Sequence, residues 1–201
     1  MKNAAVKIDK KETANLILEA AVNRFSVYGY NKTTMAEIAE DADMSAANIY
    51  RFYKNKEEIA AACASNKMAE KTAALKQIVR DSSLSATEKL EQYAHTLLKL
   101  TQAEARENRK IDEMCTEITN SRPDIIHQQI KNECALLMEI LSFGNQTGEF
   151  LVDDVMKTAG AINASLVVFD VPKFMHLFDE IEFREKLQDV VNLLLIGLKT
   201  R

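Results

Sequence analysis

The chain has 201 residues but only 5 Gly and 2 Pro, so the many tight turns of a β-sandwich or barrel have no residues to build them. Hydrophobic residues reach 47%, enough for a stable core and too many for a disordered chain. Lys and Arg number 26 against 30 Asp and Glu, and residues 1–58 are neutral, so the net charge of −4 falls on the remainder and nucleic-acid binding has to be argued from local placement.

Leu, Ala, Glu and Lys dominate, which predicts an all-α chain. Cys63, Cys115 and Cys134 are odd in number and widely spaced. Residues 7–12 are polar where a signal peptide would be apolar, and the uncharged stretch 158–169 is too short to span a bilayer. These features predict a cytoplasmic protein with reduced thiols and no membrane partner.

Lys2, Lys7, Lys10 and Lys11 form a basic arm that could follow a nucleic-acid backbone or reach a minor groove. Ala14, Ile17, Leu18, Ala21, Phe25 and Tyr28 then fall on one helical face, and Gly29 ends that helix as a left-handed cap. Thr34 and Glu37 form a capping box for a short second helix carrying Met35, Ile38 and Ala39. Residues 41–44 are a tight turn, and Ser45 caps a short third helix with Ile49, Tyr50 and Phe52. Asn55 and Glu58 open a long fourth helix, to about 80.

Ser85 and Glu88 open a fifth helix with Leu90, Tyr93, Ala94, Leu97, Leu98 and Thr101 on one stripe. Residues 104–110 mark a bend before a sixth helix through Ile111, Met114, Cys115 and Ile118. Pro123 starts a seventh helix, and 144–148 is a loop. Asp153 is expected to cap an eighth helix ending near Pro172, and a last helix runs from about 179 to 198.

Two short helices joined by a tight turn and packed on an amphipathic helix make a helix-turn-helix unit, here 34–53. Ser45, Ala46, Ala47 and Asn48 are small enough to enter a major groove, with Thr33, Thr34, Tyr50, Arg51, Tyr53, Lys54 and Lys56 as flanking donors for phosphates. The acids Glu37, Glu40 and Asp41 sit on the first short helix, which can keep them off the groove floor.

The run Ile17, Leu18, Ala20, Ala21, Phe25, Tyr28, Gly29, Tyr30, Thr33, Thr34, Ile38, Ala39, Ala42 to Ser45, Ile49, Tyr50, Phe52, Tyr53 and Asn55 to Glu58 resembles the N-terminal domain of TetR-type transcriptional regulators in order and spacing. Three positions depart from that pattern: Asp43 stands where the family has Gly in the turn, Ala47 where Gly or Pro is frequent, and Phe52–Tyr53 where a Tyr/His–Phe pair is usual. Asp tolerates a left-handed backbone better than most residues, so the turn survives the first departure. The resemblance implies a DNA-binding domain over 10–70 and a helical effector-binding and dimerisation domain over 71–201. It implies a ligand-responsive repressor that binds a pseudo-palindromic double-stranded operator as a homodimer, the effector acting through the helix that begins near Lys56. It also implies an effector pocket, with Tyr93, Leu97, Met114, Cys115, Ile118, Met138 and Phe169 as candidate linings.

The last two helices are apolar nearly all round, which calls for burial on more than one side. Ile162, Leu166, Val191, Leu194, Leu195 and Leu198 are accordingly the expected subunit interface. Cys115, His127 and Cys134 offer an alternative, a soft-metal or thiol-sensing site. A TetR-like fold used for protein interaction or cell organisation is a third reading. A Gly-rich phosphate loop, a nucleophile elbow and a His-Glu-x-x-His pair are all missing, and the three His are scattered. No enzyme activity and no cofactor are expected.

Overall fold

The computed structural model describes residues 10–106 and 109–199. Among these, the elements are α1 (Lys10–Tyr28), α2 (Met35–Asp41), α3 (Ala46–Ile49), α4 (Lys56–Val79), α5 (Ala86–Arg106), α6 (Arg109–Ser121), α7 (Pro123–Thr147), α8 (Val155–Asp170) and α9 (Glu180–Leu198). A single 3-10 turn, Pro172–Phe174, follows α8. The only pairing of extended backbone among the described residues is an isolated bridge between Phe150 and Lys199. No described helix is long and apolar enough to cross a membrane. Lys2 and Lys7 of the basic arm lie outside the described residues, while Lys10 and Lys11 open α1 and are exposed.

The chain divides into two compact units. Among the described residues, the first holds 10–66 together with 109–122, and the second holds 67–106 and 123–199. α6, inside the expected 71–201 domain, packs on α1 and falls with the first unit. The physical reason is lateral burial. Ile111, Met114 and Ile118 need an apolar partner, and the first three helices expose one. Lys110 Nζ donates to the Val27 carbonyl at the end of α1, and Ser121 Oγ donates to Glu57 Oε1 at 3.2 Å.

In the first unit, Ile17, Ala21, Phe25, Ile38, Ile49, Ile59 and Ala60 form a core with no exposed surface. Gly29 takes φ +85° and its N–H donates to the Phe25 carbonyl at 2.9 Å, the left-handed stop expected for α1. Asp43 takes φ +53°, so the turn keeps the backbone that Gly would otherwise supply. Thr34 closes its capping box with Glu37.

In the second unit, α5, α7, α8 and α9 wrap a continuous core that includes Leu90, Leu98, Leu137, Leu141, Phe183 and Leu187. Ser85 and Glu88 form the expected box at α5, and Glu149 reaches back to accept from the N–H groups of Ala86 and Thr87. α7 runs through Gly144 to Thr147, past the loop expected at 144–148. Gly144 is needed there for contact: a Cβ would lie 2.1 Å from the Phe150 ring. Asp154, not Asp153, caps α8, accepting from Lys157 N. Asp179 caps α9 through a second capping box.

Candidate nucleic-acid interface

Ser45 Oγ accepts from Asn48 N at 3.2 Å and starts α3 as a single turn that continues through Tyr50 to Tyr53. Ile49 is fully buried and anchors this turn to the first unit, which leaves Ser45, Ala46 and Ala47 exposed and Asn48 half-exposed. Tyr50, Arg51 and Lys54 are exposed beside them, and Tyr53 is half-buried, its phenol pushed up by burial. The expected contact residues therefore form one outward face around α3, with two exceptions.

Thr33 is buried, and its hydroxyl donates to the Gly29 carbonyl at 2.9 Å. Lys56 turns inward as well: its Nζ donates to the carbonyls of Tyr30 and Thr33 at 2.7 and 2.8 Å and lies over the Tyr30 ring. Both side chains satisfy loop carbonyls that no helix pairs; burial takes Thr33 out of the outward face, and Lys56 spends two of its N–H groups holding the loop. Partial burial also lowers the Lys56 ammonium from its usual range. Thr34 stays exposed, but its hydroxyl is engaged with Glu37.

Two of the three acids on α2 are paired with a cation of α1. Arg24 on α1 makes a bidentate pair with Asp41 at 2.5 and 2.8 Å and a further pair with Glu37 at 3.1 Å. Arg24 holds the Asp41 carboxyl below the usual range, and the Thr34 hydroxyl and backbone N–H do the same for Glu37.

In the second unit, Tyr93, Leu97 and Phe169 share one core, with Met138 packed against it. Met114, Cys115 and Ile118 belong to the first unit on α6, so they are removed from the set of linings that one unit brings together. Cys115 is likewise in the first unit while His127 and Cys134 lie on α7 in the second. Among the described residues no group of three or more His, Cys, Asp or Glu is placed to hold a metal ion.

The expected subunit interface is also corrected. Ile162, Leu166, Val191, Leu195 and Leu198 are buried in the second unit's own core, and Leu194 packs against it. The outward faces of α8 and α9 carry instead Gly160, Ala161, Ala164, Val167 and Val168, and Leu193 and Ile196, which are 71% and 76% exposed.

A buried polar group was missed. Lys71, Thr101, Glu104, Glu133, Asn163 and Asp170 meet inside the second unit, with Lys71 Nζ 2.5 Å from Asp170 Oδ1 and 2.8 Å from Thr101 Oγ1. The signal was present. Glu133 shares a helical face with Leu136, Leu137 and Ile140, and Lys71 one with Leu75, so each interrupts an apolar stripe with a charge.

Comparison with known proteins agrees with this architecture. The family described as "Bacterial regulatory proteins, tetR family" matches residues 17–63, and "Tetracyclin repressor-like, C-terminal domain" matches 86–191, more than half of the chain. An uncharacterised HTH-type transcriptional regulator of Bacillus subtilis, YhgD, is 46% identical over 54 residues, which are 27% of this chain and 27% of that protein. The match thus spans about a quarter of that relative's length. A TetR-family regulator from Mesorhizobium loti superposes with a TM-score of 0.71 at 15% identity, over 94% of this chain and 98% of that one. A SmeT–triclosan complex superposes with a TM-score of 0.62 at 17% identity, over 94% of this chain and 92% of that one. With a specific N-terminal match, a C-terminal match over most of the second unit and the shared fold, the chain belongs to the TetR family of bacterial regulatory proteins.

Proposed function

We propose that this chain is a transcriptional repressor that binds a pseudo-palindromic operator as a homodimer and is controlled by a small molecule taken up in its second unit. The observation that carries the reading is the outward face of α3. It is small at the front and flanked by exposed Tyr50, Arg51 and Lys54, and Arg24 pairs Glu37 and Asp41 of the neighbouring α2. Ala46, Ala47 and Asn48 approach base edges, while Tyr50, Arg51 and Lys54 hold phosphates. A second copy packs on the outward faces of α8 and α9, where Gly160, Ala161 and Ala164 permit close helix approach and Leu193 and Ile196 supply apolar area. A two-fold dimer then presents two α3 turns to two half-sites.

α4 supplies residues to both units, so an effector in the second unit can act through it. The effector changes operator affinity only by its differential affinity for the two states. A relative of the same fold is solved with triclosan, in keeping with a small molecule there. DNA, and with it the cytoplasm, is the expected place of action. Selection from a random double-stranded DNA library tests the reading. Enrichment of one inverted repeat supports it; absence of any enriched sequence at low salt overturns it.

A further inference from the structure

Glu133 is a buried carboxylate with no cation in direct contact. It is 2% exposed; its two oxygens accept from neutral amides, Gln129 Nε2 at 2.6 Å and Asn163 Nδ2 at 2.8 Å, and its carboxyl group also hydrogen-bonds with that of Asp170. Asp170 lies beside it and is paired with Lys71, whose Nζ also meets Thr101 Oγ1, the Asp170 carbonyl and, at 3.7 Å, Glu104. One ammonium thus serves three carboxylates, and its N–H groups are already spoken for. Tyr93, on α5, is 1% exposed, and its hydroxyl has no hydrogen-bond partner. Glu133 and Asp170 both act on that phenol through space. Leu97, Leu136, Leu137 and Phe169 of the surrounding core are apolar.

An unpaired buried hydroxyl and an under-compensated buried carboxylate are each costly, and a guest rich in N–H donors can hydrogen-bond to the oxygens of both. A carboxylate guest would add a further negative charge where Lys71 is already committed. A neutral alcohol could meet Tyr93 but would leave Glu133 unbalanced. A bare metal ion lacks a suitable donor set among the described residues. We propose that Glu133, Asp170 and Tyr93 form the recognition end of a binding site for an amphipathic organic cation, a primary ammonium or an amidinium carried on an apolar body. The cation's N–H groups donate to Glu133 and to the Tyr93 oxygen, and its apolar body lies against Leu97 and Phe169. The proposal rests on the reading that the second unit takes the effector, and it names that effector's chemical class.

The test uses three probes of equal length on the full chain: octylamine as its ammonium, 1-octanol and octanoate, each below its aggregation concentration. Calorimetric binding is expected for octylammonium at least ten-fold tighter than for octanol, with octanoate weakest. Glu133→Gln should weaken octylammonium at least ten-fold while leaving octanol within two-fold, and Tyr93→Phe should weaken octylammonium several-fold. Equal affinity for all three probes, preference for octanoate, no binding of octylammonium, or unchanged octylammonium affinity in a folded Glu133→Gln variant would each overturn the proposal. Operator selection on the same preparation separates the two readings. DNA enrichment without amine binding sinks only the cation site, whereas amine binding without DNA enrichment sinks only the repressor.

Discussion

Lys56 and Lys54 stand two residues apart and do different work. Lys54 is exposed, whereas the Lys56 ammonium joins the Tyr30 and Thr33 carbonyls. Lys56→Ala should lower the stability of the first unit by about 1.5 kcal/mol, the lower end for charge-assisted hydrogen bonds because the group is partly solvated. Lys54→Ala should leave melting unchanged and reduce the salt slope of operator binding by about 1. Thermal melting and a salt titration of DNA affinity read the two effects; interchange of the two phenotypes would return Lys56 to the phosphate contacts. Cys63 gives a second residue-scale expectation. Burial pushes its thiol up to about 12, and its Sγ lies 3.9 Å from the Leu18 carbonyl, so almost no thiolate exists at pH 8. Iodoacetamide at pH 8 should label it more slowly than half-buried Cys134 in the native protein, with the difference lost in denaturant. Rapid native labelling of Cys63 would contradict its burial.

At the scale of elements, α8 and α9 are where sequence periodicity reaches its limit. Their apolar character was plain, and it called for burial on two sides; the structure buries one side in the chain's own core and leaves the other exposed. Periodicity could not say which side meets the chain's own core, because Leu193, Leu194, Leu195 and Ile196 are equally apolar. The structure separates them: Leu195 is buried, while Leu193 and Ile196 face outward. Leu193→Asp combined with Ile196→Asp should therefore give a folded monomer with a nearly unchanged melting profile. Leu195→Asp should instead cost several kcal/mol and unfold the second unit, since it buries a charge without a partner. Sedimentation and far-ultraviolet dichroism distinguish them, and a double variant that stays dimeric would remove the outward face as the interface. Boundaries set by local chemistry were legible for the same reason the faces were not. Gly29, Thr34, Ser45, Ser85 and Asp179 act on their own backbone within a few residues. The engagement of Thr33 and Lys56 with the loop was not legible, because a hydroxyl or ammonium suited to a phosphate is equally suited to a stray carbonyl, and only the fold says which lies nearer.

For the whole molecule, the buried carboxylates of the second unit couple folding to pH. Desolvation raises Glu133 above the usual carboxylate range, reinforced by Asp170 and opposed by the Asn163 and Gln129 amides and by Lys71. Desolvation raises Asp170 too, against the pull of Lys71. The titratable groups that act on Glu133 or feel its charge are Lys71 from α4, Tyr93 from α5, Cys134 from α7 and Asp170 from α8, and Lys71 is shared with Glu104 of α5. A carboxyl that holds its proton more firmly in the folded chain than in the unfolded one makes folding take up protons. Stability is then greatest below the ordinary carboxylate range and falls as pH rises from that range through the raised folded value. Glu133→Gln removes this titration, and either Gln129 or Asn163 can turn its amide over to accept from the new side chain. The variant should match the wild type near pH 4 and melt progressively higher than it toward pH 8, measured without any amine. A variant that melts lower than the wild type at every pH would mean that Glu133 is ionised and stabilising in the empty protein, with its charge already balanced there. The same outcome would remove the reason for an organic cation to enter, which ties the molecule's pH profile to the chemistry of its effector.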